Sequence, residues 1–206
     1  MAGADSEGLR ARLHSGLTTG VGKAFVNEAV EALKGCPEVV DDVVLWCGGE
    51  APRSRKAAWL LHGLAEKQPE EILAREEAVL NILDVSADAS VHREVFQALL
   101  AVEHSALTAN FLFELSTLIP HDKSQPIAMR HLALRLLERH IARLTQDANL
   151  AASPTPPAAT HLSKAQLESL VDALDVLRTD ASGICRRQAI YLRKRLGDIG
   201  LYDWTN

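Results

Sequence analysis

Apolar residues in this chain recur at helical spacing, in blocks closed by glycine or proline. Val21, Phe25, Val26, Ala29, Val30 and Leu33 share one face of a helix from Val21 to Lys34, which Gly35 ends. Pro37 stands at a first helical position and opens a second helix to Trp46 and Cys47, closed by Gly48-Gly49. Pro52 opens a third, reaching Lys67, and Pro69 starts a short turn and helix carrying Ile72, Leu73, Val79, Leu80, Ile82 and Leu83. Asp88 or Ser90 caps the next, up to Glu103, and Ser105 caps its successor, through Phe111, Leu112, Leu115 and Leu118 to Pro120. Ser124 or Gln125 precedes Pro126 at the head of a long helix ending near Thr145. From Asp147 to His161 the chain reads as a loop too rich in proline to be helical. Ser163 caps Lys164 to Leu177; Asp180 or Ser182 caps Gly183 to Leu196, with Gly197 as the stop. Strand alternation and Asn-Gly or Asp-Gly hairpin turns are missing from the sequence. The expectation is an all-α chain of about nine helices in antiparallel pairs.

Four of these blocks are variants of one phrase. Anchored on Arg55, Arg93, Arg130 and Arg186, the third following position is Ala58, Phe96, Ala133 or Ala189, and the sixth is Leu61, Leu99, Leu136 or Leu192. The anchors are 38, 37 and 56 residues apart. A period of that length predicts stacked helical units, each burying its neighbour's apolar face. The long third interval exceeds the second by 19 residues, close to the irregular segment at 146–162, which reads as a surface insertion into one unit.

Asp88-Ala-Ser-Val91-His-Arg93 and Asp180-Ala-Ser-Gly-Ile184-Cys-Arg186 resemble the turn and second-helix start of HEAT-like helical repeats. The segment from Leu17 to Leu83, with Arg-Lys-Ala-Ala-Trp-Leu-Leu-His-Gly-Leu-Ala-Glu-Lys at 55–67, is similar to small bacterial HEAT-repeat proteins. The resemblance covers residues 17–197. It implies a right-handed superhelical stack of antiparallel helix pairs, an armadillo-like α-solenoid. Residues 1–16 would form an N-terminal arm or short helix, and 198–206 a tail. The first and third units depart from the pattern: Glu50 and Gln125 stand where the others carry Asp, so an Asp–Arg ladder between repeats is expected to be partial. By analogy with the family, the function implied is a non-catalytic protein–protein interaction scaffold presenting a curved groove.

Composition fits that expectation. At 206 residues, 47% hydrophobic and 24% charged, the chain has ordinary globular usage. It has no apolar run of the roughly 18 residues that a membrane span needs. The acidic start shows no secretory leader, and three cysteines (Cys36, Cys47, Cys185) suit reduced thiols, so a cytoplasmic location is expected. The net charge of −5 is uneven: residues 1–103 hold 10 Lys and Arg against 17 Asp and Glu, residues 104–206 hold 12 against 10. An acidic chain is a poor general binder of nucleic acid, so a protein partner is expected, although a local basic stripe could still serve one partner.

The four anchor arginines are expected to be structural, pairing with turn carboxylates or carbonyls. With the apolar face inward, the exposed side of the second helices should carry Lys56, Leu60, Glu94 and Ala98 in the first half. In the second half it should carry His131, Arg135, Arg139, Arg187, Tyr191, Lys194 and Arg195. Second helices line the concave face of HEAT-like arrays, so the groove should be basic toward its C-terminal end. That face would either dock an acidic peptide, a protein surface or a phosphate backbone through bidentate contacts, or simply be a solvated face answering the acidic N-terminal half.

The eight histidines form no i, i+4 pair and no His-Glu-x-x-His, and Cys-x-x-Cys does not occur, so no metal site is expected. Gly-x-Ser-x-Gly is missing, and Gly20-Val-Gly22-Lys23 is only a fragment of a phosphate loop; neither a catalytic residue nor a cofactor is expected. Trp46 and Trp59 lie on apolar faces and are expected in the core. Tyr202 and Trp204 are expected to fold back over the end of the array or to meet a second copy. The competing functional reading is a nucleic-acid-binding or DNA-repair glycosylase-like HEAT-repeat protein, which needs a strongly basic concave face with aromatics and a carboxylate. A small-molecule or lyase-type enzyme is the other competitor, with no catalytic group to name.

Overall fold

The computed structural model describes residues 3–19, 22–104, 106–119, 122, 124–150 and 162–198, and among them it has eleven helices and no strand. The expected positions of Val21, Ser105, Pro120, most of the proline-rich segment (151–161) and the tail with Tyr202 and Trp204 lie outside the described residues. Contacts divide the chain into two units, Met1–His104 and Ser105–Asn206.

The first unit holds α1 (Gly3–Thr19), α2 (Lys23–Ala32), α3 (Pro37–Cys47), α4 (Arg53–Lys67), α5 (Pro69–Leu73), α6 (Glu76–Val85) and α7 (Ala89–Ala101). The short turn expected after Pro69 is the five-residue α5, which Ala74 and Arg75 separate from α6; the Arg75 guanidinium reaches Asp41 on α3 and the Pro37 carbonyl at 2.7 Å. Gly35 adopts φ +75°, the left-handed conformation in which a glycine ends a helix without steric cost.

Helix α4 is the hub of this unit. It packs most extensively against α7, and also against α1, α2, α3 and α5. Ala57, Ala58, Leu60, Leu61 and Leu64 are all fully buried there. Each such leucine contributes roughly 2 kcal/mol of transfer free energy. Close approach to α2 depends on Gly63, where a Cβ would lie 3.0 Å from Val26 and 3.3 Å from Val30. Buried Gln68, after α4, donates to the Val30 carbonyl at 2.6 Å and so satisfies an acceptor near the end of α2. Helix α1 docks through Leu9, Leu13 and Leu17, with Arg10 paired to Asp42 of α3 at 2.5 Å.

The second unit holds α8 (Ala106–Leu118), α9 (Ile127–Leu150), α10 (Lys164–Arg178) and α11 (Gly183–Asp198). Helix α9 runs on through Asp147 to Leu150, where a loop was expected, and Gly197 lies inside α11 instead of stopping it. Ser163 and Gln166 form a reciprocal capping box at the start of α10. In this unit α8 packs on both α9 and α10, and α11 on both α9 and α10. Phe113, Leu134, Leu137, Leu170, Leu174 and Leu192 contribute to one buried cluster. The four recurrent leucines, Leu61, Leu99, Leu136 and Leu192, are buried, as are Ala58, Phe96, Ala133 and Ala189.

Candidate functional site

The anchor arginines divide into two kinds. Arg55 on α4 donates through Nε to Asp88 Oδ2 at 2.5 Å, and Asp88 Oδ1 accepts from the Ser90 N–H at 2.8 Å, capping α7. Arg130 on α9 donates to Asp180 Oδ2, and Asp180 Oδ1 accepts from the Ser182 N–H at 2.7 Å, just before α11. In each unit, then, one helix is tied to the aspartate that starts the next helix it packs on. Arg93 and Arg186 bond locally instead: Arg93 to Glu94 at 2.8 Å, Arg186 to the Asp180 carbonyl at 3.1 Å. Burial opposes ionisation of Asp88, but the Arg55 guanidinium and the N–H groups of Ser90 and Val91 outweigh it and hold the carboxyl below its ordinary range.

On the second unit, α9 and α11 pack side by side. Glu138 of α9 accepts from Gln188 of α11 at 2.9 Å and lies 3.7 Å from Arg135. Arg135, Arg187 and Tyr191 are exposed; His131, Arg139 and Arg195 are half-buried. Arg195 donates to the Tyr191 hydroxyl at 3.3 Å, which fixes both side chains on one face. His131 is a poorer cation than expected: burial, then the nearby Arg135 charge, lower its pKa, and Glu138 only partly opposes them. Two residues outside the expected set belong to the same helix surface. Ile184 and Ile190 are 49% and 50% exposed, beside Tyr191 at 42% and the exposed Arg186, Arg187 and Lys194. Their signal in the sequence is that they fall off the Cys185–Ala189–Leu192–Leu196 stripe, all of which is buried.

On the first unit the expected exposed side is wrong in three of four places. Leu60 and Ala98 are fully buried and Glu94 nearly so, because α4 is covered on this side by α7. Glu94 is satisfied in its burial by Arg93 and by His62, whose Nδ1 lies 3.2 Å away. Burial alone would raise the Glu94 pKa; His62 and Arg93 reverse the sign and lower it. Lys56 remains half exposed.

Neither Trp46 nor Trp59 is a core residue; both are half-buried, and each lines a cleft. Trp46, edge-on to His14 at 5.8 Å, lines an apolar cleft of about 660 Å³ with Val44, Leu45, Ile82 and Val85. Trp59 lines a smaller one of about 380 Å³ between α4 and α7, with Arg55, Lys56, Ser90, Arg93 and Glu94.

Among the described residues no group of three or more His, Cys, Asp or Glu is placed to hold a metal ion. Nor is any described helix long and apolar enough to cross a membrane. No family model matches the chain, and no curated protein or solved structure matches it either.

Proposed function

We propose that this chain is a non-catalytic scaffold of HEAT-like helical repeats that docks an acidic protein partner on the α9–α11 surface. The observation that carries the reading is the exposed face of α11, where Ile184, Ile190 and Tyr191 sit among Arg186, Arg187 and Lys194. Apolar and aromatic side chains rimmed by cations are the composition of a binding surface, with Tyr as anchor and Arg as the ligand for carboxylates. The repeat phrase running through both halves of the sequence, and the arginine-to-aspartate tie found in each unit, support HEAT-like helical repeats in each unit. Recognition then works by shape and charge, in the cytoplasm, without bond chemistry.

A photo-cross-linking residue placed at Tyr191, and as control at exposed Glu168 on α10, tests this in cells. Adducts with acidic proteins are expected from position 191 only, and the Arg187→Glu/Lys194→Glu variant should lose them. Adducts that survive the charge reversal, or none from position 191, reject the reading. Retarded duplex DNA in a low-salt gel shift would favour the nucleic-acid alternative.

A further inference from the structure

The α4–α7 cleft holds three of the ten Lys and Arg of residues 1–103, in a segment with 17 Asp and Glu. Arg55, Lys56 and Trp59 reach it from α4; Ser90, Arg93 and Glu94 reach it from α7. Spacing explains the cluster: residues four apart on a helix share a face, which puts Arg55 with Trp59 and Ser90 with Glu94.

The cations keep donors in reserve. Arg55 bonds Asp88 through Nε, so among the described residues its two terminal nitrogens have no partner, and its side chain is 56% exposed. Arg93 holds Glu94 through Nε and Nη2, leaving Nη1, and is 46% exposed. Lys56 makes one long bond, 3.3 Å to the Thr18 carbonyl, and an ammonium has three N–H groups. Glu94 lines the cleft with its carboxylate held by Arg93 and His62, and Asp88 is paired to Arg55, so Lys56 is the cation of the cleft with no carboxylate partner among the described residues. A planar guanidinium with free N–H groups is the usual ligand for phosphate or carboxylate oxygens, and the indole of Trp59 offers a flat apolar wall beside it. At about 380 Å³ the cleft is at the small end of ligand pockets.

The geometry points to a small-molecule site in the α4–α7 cleft for a flat ring bearing a phosphate or carboxylate, the anion held by Arg55, Lys56 and Arg93 and the ring lying on Trp59. Residues of the α9–α11 surface take no part in it.

Titration of the full ¹⁵N-labelled chain with phenyl phosphate, benzoate and inorganic phosphate, followed by the Trp59 indole and arginine Nε–H signals, tests the site. Phenyl phosphate should move both sets of signals saturably. Inorganic phosphate, lacking the ring, should bind about tenfold more weakly. Saturable shifts by benzoate as well would assign the site to aromatic anions of both kinds; their absence would narrow it to phosphate esters. Lys56→Gln and Arg93→Gln, checked for an otherwise unchanged spectrum, should each weaken phenyl phosphate about tenfold or more. Lys56→Gln alters a half-exposed side chain with one long hydrogen bond, so it keeps the test usable if Arg93→Gln disturbs Glu94. The site is overturned by no saturable Trp59 shift up to about 10 mM ligand at low salt. It is overturned equally by arginine shifts without Trp59, or by wild-type affinity in the folded variants.

Discussion

Arg130 and Asp180, fifty residues apart, form an ion pair whose side chains are only 9% and 8% exposed. Arg55 and Asp88 make the same connection in the other unit, but there the arginine is 56% exposed. Each aspartate has two tasks, accepting a backbone N–H at the start of its own helix and an arginine from an earlier helix packed against it. The chemistry is repeated; the solvent is not. Coulomb attraction and the cost of an unpaired charge both grow as water is excluded.

Arg130→Ala should therefore destabilise the protein by about 3–5 kcal/mol, since it leaves the Asp180 carboxylate buried without its cation. Arg55→Ala should cost no more than about 1 kcal/mol. Urea unfolding of both variants measures the difference. Equal losses would show that burial does not separate the two bridges.

His140 sets a pH dependence. Its ring stacks 4.7 Å from Phe113, and burial, reinforced by the Arg143 charge, lowers its pKa to about 4. The unfolded chain takes up the proton first, near pH 6.5. Stability is thus fully present above that value and is lost as pH falls toward 4, by up to about 3 kcal/mol. His131, also lowered, acts with the same sign. Asp88 and Glu94, held below their ordinary carboxylate values, lose their contributions only as pH falls further, through their folded pKa values. Urea midpoints from pH 7 to 4 should drop steeply in the parent chain and less so in His140→Gln. An identical slope in the variant would contradict this assignment.

Thiol reactivity should separate the three cysteines. Cys47 is fully buried, donates to the Val43 carbonyl at 3.2 Å, and burial pushes its thiol far above the ordinary value; Cys185 is buried too, while Cys36 is half-buried. Only the thiolate reacts readily, so native alkylation should label Cys36 alone, with the other two appearing on unfolding. Mass spectrometry of peptides reads the order, and early labelling of Cys47 would refute it.

Two glycines should respond oppositely to substitution. A Cβ at Gly63 already presses on Val26 and Val30, so Gly63→Leu should overpack the α2–α4 contact and cost about 1–3 kcal/mol. Gly8, within α1, has open space around it, and Gly8→Ala should add up to about 1 kcal/mol through helix propensity. Thermal unfolding of the two variants supplies the signs. A neutral Gly63→Leu would mean that α2 yields.

Much of the fold was readable one helix at a time. Pro37, Gly35, Asp88 and Ser163 act through their own backbone neighbourhoods, so helix boundaries near them could be placed without knowing the partners. The short turn after Pro69 was readable too, but not the tie from Arg75 to Asp41 and the Pro37 carbonyl, because those partners lie over thirty residues away. Of the expected basic surface, Arg135, Arg187 and Tyr191 are exposed, whereas His131, Arg139 and Arg195 are half-buried. The Trp59 cleft is not legible in the sequence, because an aromatic on an apolar stripe reads as core whether or not a neighbour covers it.

Helix caps and a 3.6-residue period are local properties, so the helical character of the described residues and the inward positions of Leu61, Leu99, Leu136 and Leu192 follow from the order of residues alone. How many sides of each helix are covered depends on the packing of distant segments. Leu60, Glu94 and Ala98 are hidden because α4 and α7 lie against each other, Arg130 is buried where Arg55 is wet, and Trp46 and Trp59 are left at the mouths of clefts. Burial is a property of neighbours, and a helix's own period reports one face without saying how many partners it will meet.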